Sequence, residues 1–162
     1  MSTSASNRAT FRMAQMEDEP AVVALLVASN LPLDGVHDAL PGFMVAEHAG
    51  TIIGVAGIEE SGPASDHALL RSVAVATSWQ SRGLGRALVT RAIAEAEARG
   101  VKALYLLTTT ADGYFPAFGF TVASRDAVPA DIRATAEFRE ACPASATVMV
   151  RASSTATPVA AT

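Results

Sequence analysis

The chain holds one cysteine, Cys142, among its 162 residues. An intrachain disulfide is therefore excluded, and a reducing compartment is the default expectation. A single thiol is also a poor soft-metal site, because such sites combine several ligands. Cys142, in the run ACPASA, reads as a buried structural cysteine, and no metal is expected. There is no Lys/Arg-rich run, and the formal net charge is -4. Both facts argue against a nucleic-acid partner and against an anionic membrane surface. No apolar run reaches the length of a membrane span. The opening residues, MSTSASNRAT, contain no apolar stretch of the secretory type. Together these absences lead to the expectation of a cytoplasmic protein with neither nucleic acid nor membrane as partner.

What is present is a globular composition, with 50% of residues hydrophobic and 17% charged. A chain of this length suits one domain with a real core better than two. The expected organisation is a flexible segment over 1–8, a single domain over 9–151 and a flexible tail over 152–162, where large core formers are absent. Positive charge is concentrated locally. Arg82, Arg86, Arg91 and Arg99 fall on or just before one predicted helix, which suits a small anionic ligand better than a polyanion.

Periodicity predicts strands at 9–15, 42–48, 51–60, 68–76, 101–108, 120–125 and 145–151, and helices at 17–30, 33–40, 84–100, 110–119 and 128–138. Pro20 and early acids mark the start of the first helix, and Asn30 and Pro32 its end. The two runs flanking Ala49 and Gly50 read as a hairpin. Strand 68–76 reads as buried on both faces except near Arg71 and Ser72. In helix 84–100, Leu84, Leu88, Ala92 and Ala96 share one face, and Gly100 closes the end. Pro116 makes helix 110–119 brief or distorted. The unit over 68–107 is strand, helix, strand; a right-handed crossover makes its two strands parallel if they share a sheet. An α/β fold with a mixed sheet follows.

The run WQSRGLGRALV, residues 79–89, joins that strand to that helix. The first turn of a helix has unpaired N–H groups and a partial positive charge. Gly83 and Gly85 let a ligand approach those groups, and Arg82 and Arg86 can add charge-assisted bonds to phosphate oxygens. No Gly-Lys-Ser/Thr follows, so it is not a Walker loop, and Leu88 stands where a dinucleotide fingerprint needs its third glycine. A plain strand-to-helix turn with solvated arginines accounts for the same residues.

The order of elements adds to this. LLRSVAVATSWQSRGLGRALVTRAIAEAEARG, LYLLTTTA and FPAFGF resemble the acetyl-CoA-binding core of the GNAT acyltransferases. The family signature Gln/Arg-x-x-Gly-x-Gly/Ala is met by Gln80, Gly83 and Gly85. The resemblance covers residues 9–151 and is most specific over 71–120. It implies an α/β GNAT fold with a mostly antiparallel central sheet, helices on both faces and a parallel pair of strands splayed apart at the acetyl-CoA site. It implies that acetyl-CoA lays its pyrophosphate on Gln80, Ser81, Arg82, Gly83, Leu84, Gly85 and Arg86. It also implies that the pantetheine arm pairs with Val73, Ala74 and Val75. Thr109 and Phe115 join the expected cofactor contacts. LRSVAV, LYLLTTTA, FGF, VPADIRATAEF and CPASA are similar to a GNAT branch associated with arsenic-resistance operons. Relatives there acetylate arsinothricin, an amino acid resembling glutamate and phosphinothricin. A homodimer is expected by the same analogy.

Acetyl transfer to an amine requires loss of the amine proton, polarisation of the thioester carbonyl and departure of the thiolate. Glu59 and Glu60 end the third predicted strand and point to opposite faces. Glu59 is the first candidate for base or water-relay partner and Glu60 the second; a solvated strand end is the alternative for either. His37, His48 and His67 sit in turn contexts and are weaker candidates. The resemblance assigns carbonyl polarisation to the Val73 N–H. In the slot where the family carries its tyrosine acid this chain has Phe115, which has no proton to give; Tyr114 precedes it, about 100° round the turn. For an anionic acceptor, Arg71 beside Ser72 is the best cation. Its alternative is an internal salt bridge, with Glu59 or another acid. Thr108, Thr109 and Thr110 offer hydroxyls to a ligand or cap the next helix, and Arg133 is a further option. The expectation is an N-acetyltransferase for a small, anionic amino acid, with direct transfer in a ternary complex. A polyamine or protein amine as acceptor, or a non-catalytic acyl-CoA-binding module, are the alternatives.

Overall fold

The computed structural model describes residues 9–60, 66–109, 113–135, 138 and 146–153. The expectations for 1–8, Thr110, Cys142 and 154–162 lie outside them. Seven strands make one sheet: β1 (Thr10–Met13), β2 (Phe43–His48), β3 (Thr51–Glu60), β4 (His67–Val75), β5 (Ala103–Thr108), β6 (Thr121–Ala123) and β7 (Thr147–Ala152). Their spatial order is β1-β2-β3-β4-β5-β7-β6. The β4–β5 pair is parallel and the others antiparallel. The helices are α1 (Glu19–Ala28), α2 (Val36–Ala39), α3 (Leu84–Ala98) and α4 (Ala130–Arg133). This is the expected mixed α/β fold. No helix among the described residues is long and apolar enough to cross a membrane.

Several boundaries differ for physical reasons. The first helix begins later than expected, after a 3-10 turn over Met16–Asp18. There the Asp18 carboxylate accepts from the Gln15 N–H at 2.8 Å and takes two guanidinium bonds from Arg12, at 2.7 and 2.9 Å. These bonds hold Asp18, which is buried, with its carboxyl below the ordinary range, chiefly through the Arg12 bond. The sixth strand stops at Ala123 because the Ser124 hydroxyl accepts from the Asp126 N–H and starts a turn. Within the predicted helix 128–138, α4 begins at Ala130 and gives way to a turn, where the Thr135 hydroxyl bonds back to the Ile132 carbonyl at 2.7 Å; residues 136 and 137 lie outside the described ones. The proline-bearing segment before β6 is one 3-10 turn over Phe115–Phe118.

One face of the sheet packs under α3. Leu84, Leu88, Val89, Ala92, Ile93 and Ala96 meet Ala56, Ile58, Ala68, Leu70, Leu104 and Leu106. The opposite face carries two clusters. Val22, Leu26, Val36 and Leu40 from the α1–α2 side cover Val45, Val55 and Ala74, while Val128 and Ile132 cover Leu69 and Val148. Along β4, Leu69 belongs to one of these clusters and Ala74 to the other, with Arg71 between them. Arg71 and Ser72 are themselves buried, so the burial of β4 continues through the two positions excepted from it in the sequence. Their burial is tolerated because each satisfies the other: Arg71 Nε donates to Ser72 Oγ at 3.0 Å, and Arg71 Nη1 to Glu59 at 2.8 Å.

Candidate active site

The parallel pair β4–β5 is short. It matches His67, Ala68 and Leu69 with Ala103, Leu104 and Tyr105, and no register continues beyond. From there β5 runs on along β7, and β4 along β3. The divergence coincides with an irregularity in β4. Arg71 faces Gly57 and Ala74 faces Val55, so β4 has one residue more than β3 between the two matches. Ser72, with φ 60, sits in that extra stretch. A bulge of this kind bends its strand and raises its twist, which carries the end of β4 away from β5 and leaves a wedge. At the wedge mouth the Ala76 N–H bonds to Ile53 on β3 at 2.8 Å. The trans peptide then turns the Val75 carbonyl the other way, where Gln80 Nε2 holds it at 3.1 Å. The first residue of the glycine motif is thus tied to the end of β4.

Helix α3 starts at this mouth. Its N-cap is Gly83 at φ 83, in the left-handed region that glycine adopts without penalty; a Cβ there would meet nothing within 4 Å. No side chain caps the helix, and its first turn holds no acid. Arg82 and Arg86 stand there instead, with positive charge at the positive end of the helix dipole, an arrangement that favours an anion. Neither makes a salt bridge among the described residues. The Arg82 guanidinium lies over Trp79, 5.0 Å from its ring centre, and Arg86 over Phe118 at 5.7 Å. Trp79 and Phe118 escaped the sequence reading as platforms, although Trp79 lies in the quoted run. Uncapped donors, two arginines, a glycine without neighbours and unpaired strand edges fit the phosphate-bearing arm of acetyl-CoA.

The candidate proton carriers lie deeper. Glu59 and Glu60 face Leu69 and Ala68 on β4, towards the closed end of the wedge. Glu60 bonds Arg99 at 3.2 Å, and Arg99 also holds Glu95 at 3.0 Å, so Glu60 ties β3 to the far end of α3. Glu59 bonds Arg71, whose side chain has 0% exposure against 13% for Glu59. The internal salt bridge expected as the alternative for Arg71 is therefore present, and Glu59, Arg71 and Ser72 form a chain leading to the bulge. Arg71 precedes Val73 by about 7 Å of strand. A cavity of about 380 Å³ opens beside Glu59 and Glu60, bordered also by Asp38, Pro41, Gly42 and Arg99. Asp38 was missed by the sequence reading, since an acid on a short helix carries no signal of its own.

The remaining candidates scatter. Phe115 is buried, its ring 5.8 Å from Phe120 and 6.3 Å from Phe118, so the tyrosine slot of the family is a core position here. Tyr114 is 40% exposed. Its hydroxyl lies 3.5 Å from where a Cβ on Gly85 would stand, and Val75 Cγ2 is 3.6 Å from the same point. Partial burial raises its phenol above the ordinary value, with Arg86 opposing. Thr108 ends β5 opposite Thr147, and Thr109 is exposed after it. Arg133 bonds the carbonyls of Val128 at 3.2 Å and Arg125 at 2.6 Å, closing its own turn. The histidines lie apart: His37 meets Glu19, His67 meets Asp131, and His48 tilts against Trp79.

A model of the acetyltransferase (GNAT) family matches residues 8–121. Among solved structures the chain is similar to N-acetylglutamate synthase from Neisseria gonorrhoeae, complexed with coenzyme A and N-acetyl-glutamate. The identity is 25% and the TM-score 0.77, over 90% of this chain and 35% of that one. The chain thus spans about a third of that relative's length. It is also similar to Rv2747 from Mycobacterium tuberculosis in complex with CoA, with 24% identity and TM-score 0.73 over 88% of this chain and 98% of that one. A third similarity is to diaminobutyrate acetyltransferase from Paenibacillus lautus, with 18% identity and TM-score 0.67 over 90% and 95% of the two chains. The last two show a shared fold.

Proposed function

The chain belongs to the acetyltransferase (GNAT) family, and from that premise we propose that it acetylates the amino group of a small, acidic amino acid, with acetyl-CoA as donor. The observation that carries this is the wedge between β4 and β5, opening onto an uncapped helix end flanked by Arg82 and Arg86. Acetyl-CoA supplies an activated acetyl thioester. On this reading the N–H groups of Leu84, Gly85 and Arg86 hold its diphosphate together with the two guanidinium groups. The edge of Val73–Val75 that β5 leaves, where Gln80 now holds the Val75 carbonyl, pairs with its amide arm, and the Val73 N–H polarises the carbonyl. Glu59, whose carboxylate is shared between Arg71 and the cavity, takes the amine proton through water. Attack is direct, without a covalent enzyme intermediate. Phe115 cannot donate a proton, so the thiolate leaves without a side-chain acid at that position.

For the acceptor, the cavity beside Glu59 offers carboxylates to an ammonium group, while Arg71, buried and bonded to Glu59 and Ser72, is not among its bordering residues. The N-acetyl-glutamate bound in the similar synthase domain supports an acidic amino acid. The sequence resemblance extends this to an arsinothricin- or phosphinothricin-like acceptor. A second reading rests on the three acids bordering the cavity, Asp38, Glu59 and Glu60, which suit a polyamine. A thiol-release assay with acetyl-CoA separates the two, using L-glutamate, phosphinothricin, arsinothricin, putrescine and spermidine. Highest kcat/KM on an acidic amino acid is expected. Preference for spermidine would replace the acceptor, and binding of acetyl-CoA without release on any acceptor would leave a binding module.

A further inference from the structure

Ser72 holds a conformation that an L residue adopts only where the surrounding structure enforces it. Its φ is 60, in the left-handed region where a residue with a side chain is strained. Asn30, Ala49 and Ser81 share a positive φ, but each lies in an exposed turn. Ser72 is buried and lies inside β4. In a regular strand its side chain would point to the face opposite Arg71. Here the two side chains share one face, with Arg71 Nε donating to Ser72 Oγ at 3.0 Å. That bond fixes how the hydroxyl works. A serine has one proton to give and two lone pairs to offer. One lone pair is taken by Arg71, which Glu59 holds in turn at 2.8 Å. The proton meets no acceptor among the described residues. At a buried position an unmatched O–H costs free energy until an acceptor arrives.

Covalent geometry says where that acceptor stands. The bonds from Ser72 Oγ through Cβ, Cα and the carbonyl carbon keep it within about 4 Å of the Val73 nitrogen. Both groups lie in the bulge, where β4 leaves β5. We propose that Ser72 is a catalytic residue, its hydroxyl donating to the thioester carbonyl oxygen beside the Val73 N–H, so that the developing oxyanion has two donors. Arg71 is the positioning residue that aims it. The proposal rests on the acetyl-CoA reading given above. The serine proton stays on its oxygen throughout. The amine nitrogen bonds the carbonyl carbon and the π pair moves onto the carbonyl oxygen. That pair returns as the C–S bond breaks, the C–S electrons leave with the thiolate, and the amine proton departs towards Glu59. Two donors on the oxygen lower the barrier to addition in a site where Phe115 has no proton to give.

The test compares Ser72→Ala and Ser72→Gly with wild type, by thiol release from acetyl-CoA on whichever acceptor of the panel above gives the highest kcat/KM. Both variants lose the hydroxyl, and glycine also relieves the strain of the positive φ. Loss of one oxyanion donor is expected to lower kcat about 100-fold in both. KM for acetyl-CoA, and the Kd for CoA by calorimetry, should stay within about twofold of wild type. Fluoroacetyl-CoA, whose carbonyl oxygen becomes a weaker base, should show a smaller loss than acetyl-CoA, a difference that a merely structural role would not produce. An equal loss on the two donors overturns the proposal. So does recovery of kcat in Ser72→Gly alone, or a Kd for CoA raised about tenfold in both variants, since either result makes Ser72 only a shaper of the bulge. Wild-type kcat retained in both variants overturns this proposal and leaves the acetyl-transfer reading standing. Absence of thiol release by wild type on every acceptor would overturn that reading, and this proposal with it.

Discussion

The two ends of α3 obey opposite rules. At its C-terminus every local device for ending a helix is in place. The Val101 N–H returns to Ala96 and the Gly100 N–H to Glu97, closing the last carbonyls as a Schellman motif does. Arg99 lies at the negative end of the dipole and pairs with Glu95 and Glu60, and Arg151 pairs with Glu97 at 2.7 Å. The β4 and β5 strands below that end are hydrogen-bonded to each other. At the N-terminus there is no cap and no acid, cations stand where anions belong, and the strands beneath have parted. One helix satisfies its own chain at one end and has neither a side-chain cap nor an acid in its first turn at the other. A run of violated local rules marks the site here more sharply than any single residue does.

Substitutions can break or sharpen that contrast. The largest effect is expected for Glu59, which joins the closed end to the bulge. Glu59→Ala should lower kcat by about 100-fold or more if it relays the amine proton. It should also cost about 3–5 kcal/mol of stability, because it strips a carboxylate partner from a buried guanidinium. Chemical denaturation and steady-state kinetics read the two separately, and kcat within tenfold of wild type would remove Glu59 from the chemistry. The double variant Arg82→Ala/Arg86→Ala should weaken acetyl-CoA binding by about tenfold or more by calorimetry. Its stability should be unchanged or higher by about 0.3–1 kcal/mol, since both charges oppose the dipole. A large loss of stability would show that these arginines serve the fold, and the contrast between the ends would collapse.

Asp18 belongs to neither end and calibrates an ordinary structural pair. Its carboxyl is held low by Arg12, so its contribution is complete above its unfolded value of about 3.9. That contribution disappears as pH falls through the lower native value. Asp18→Asn should cost about 1–3 kcal/mol at neutral pH and flatten the acid limb of the stability curve below about pH 4, with acetyl-CoA affinity intact. An unchanged acid limb would show that the Arg12 pair contributes nothing in solution. At the closed end of α3, Gly100→Ala forces a side chain onto φ 92 and should cost about 1 kcal/mol. Arg99→Ala should cost about 0.5–1 kcal/mol through exposed ion pairs. Neither should move the KM for acetyl-CoA, and a tenfold shift in either would mean that the two ends are not independent.

Much of this was legible locally. The seven strands, the crossover from β4 through α3 to β5, and the buried face of α3 follow from apolar spacing, because period and length alone distinguish a helix under a sheet from a strand within it. The glycine motif was legible because two glycines flanked by arginines stand at a strand-to-helix turn. The parting of β4 from β5 was not. It depends on a bulge at Ser72, a residue whose identity gives no warning of a positive φ. For Arg71 the sequence left two readings open, a substrate cation or an internal salt bridge with Glu59 or another acid, and the register of β3 against β4, which brings the acid 12 residues earlier beside it, decided for the bridge. Arg133 looked available for a substrate and is engaged by two carbonyls of its own turn.

The sequence by itself determined which segments are strands and helices, where the backbone turns, and that positive charge gathers at the start of one helix. These are properties of residues near one another along the chain, set by steric preference, periodicity and the helix dipole. The tertiary structure alone decided that β7 lies between β5 and β6, that Glu59 neutralises Arg71, and that the Tyr114 hydroxyl faces Gly85. Those outcomes join groups 12 or more residues apart, and such contacts form only where packing of the whole sheet brings their strands and turns into register.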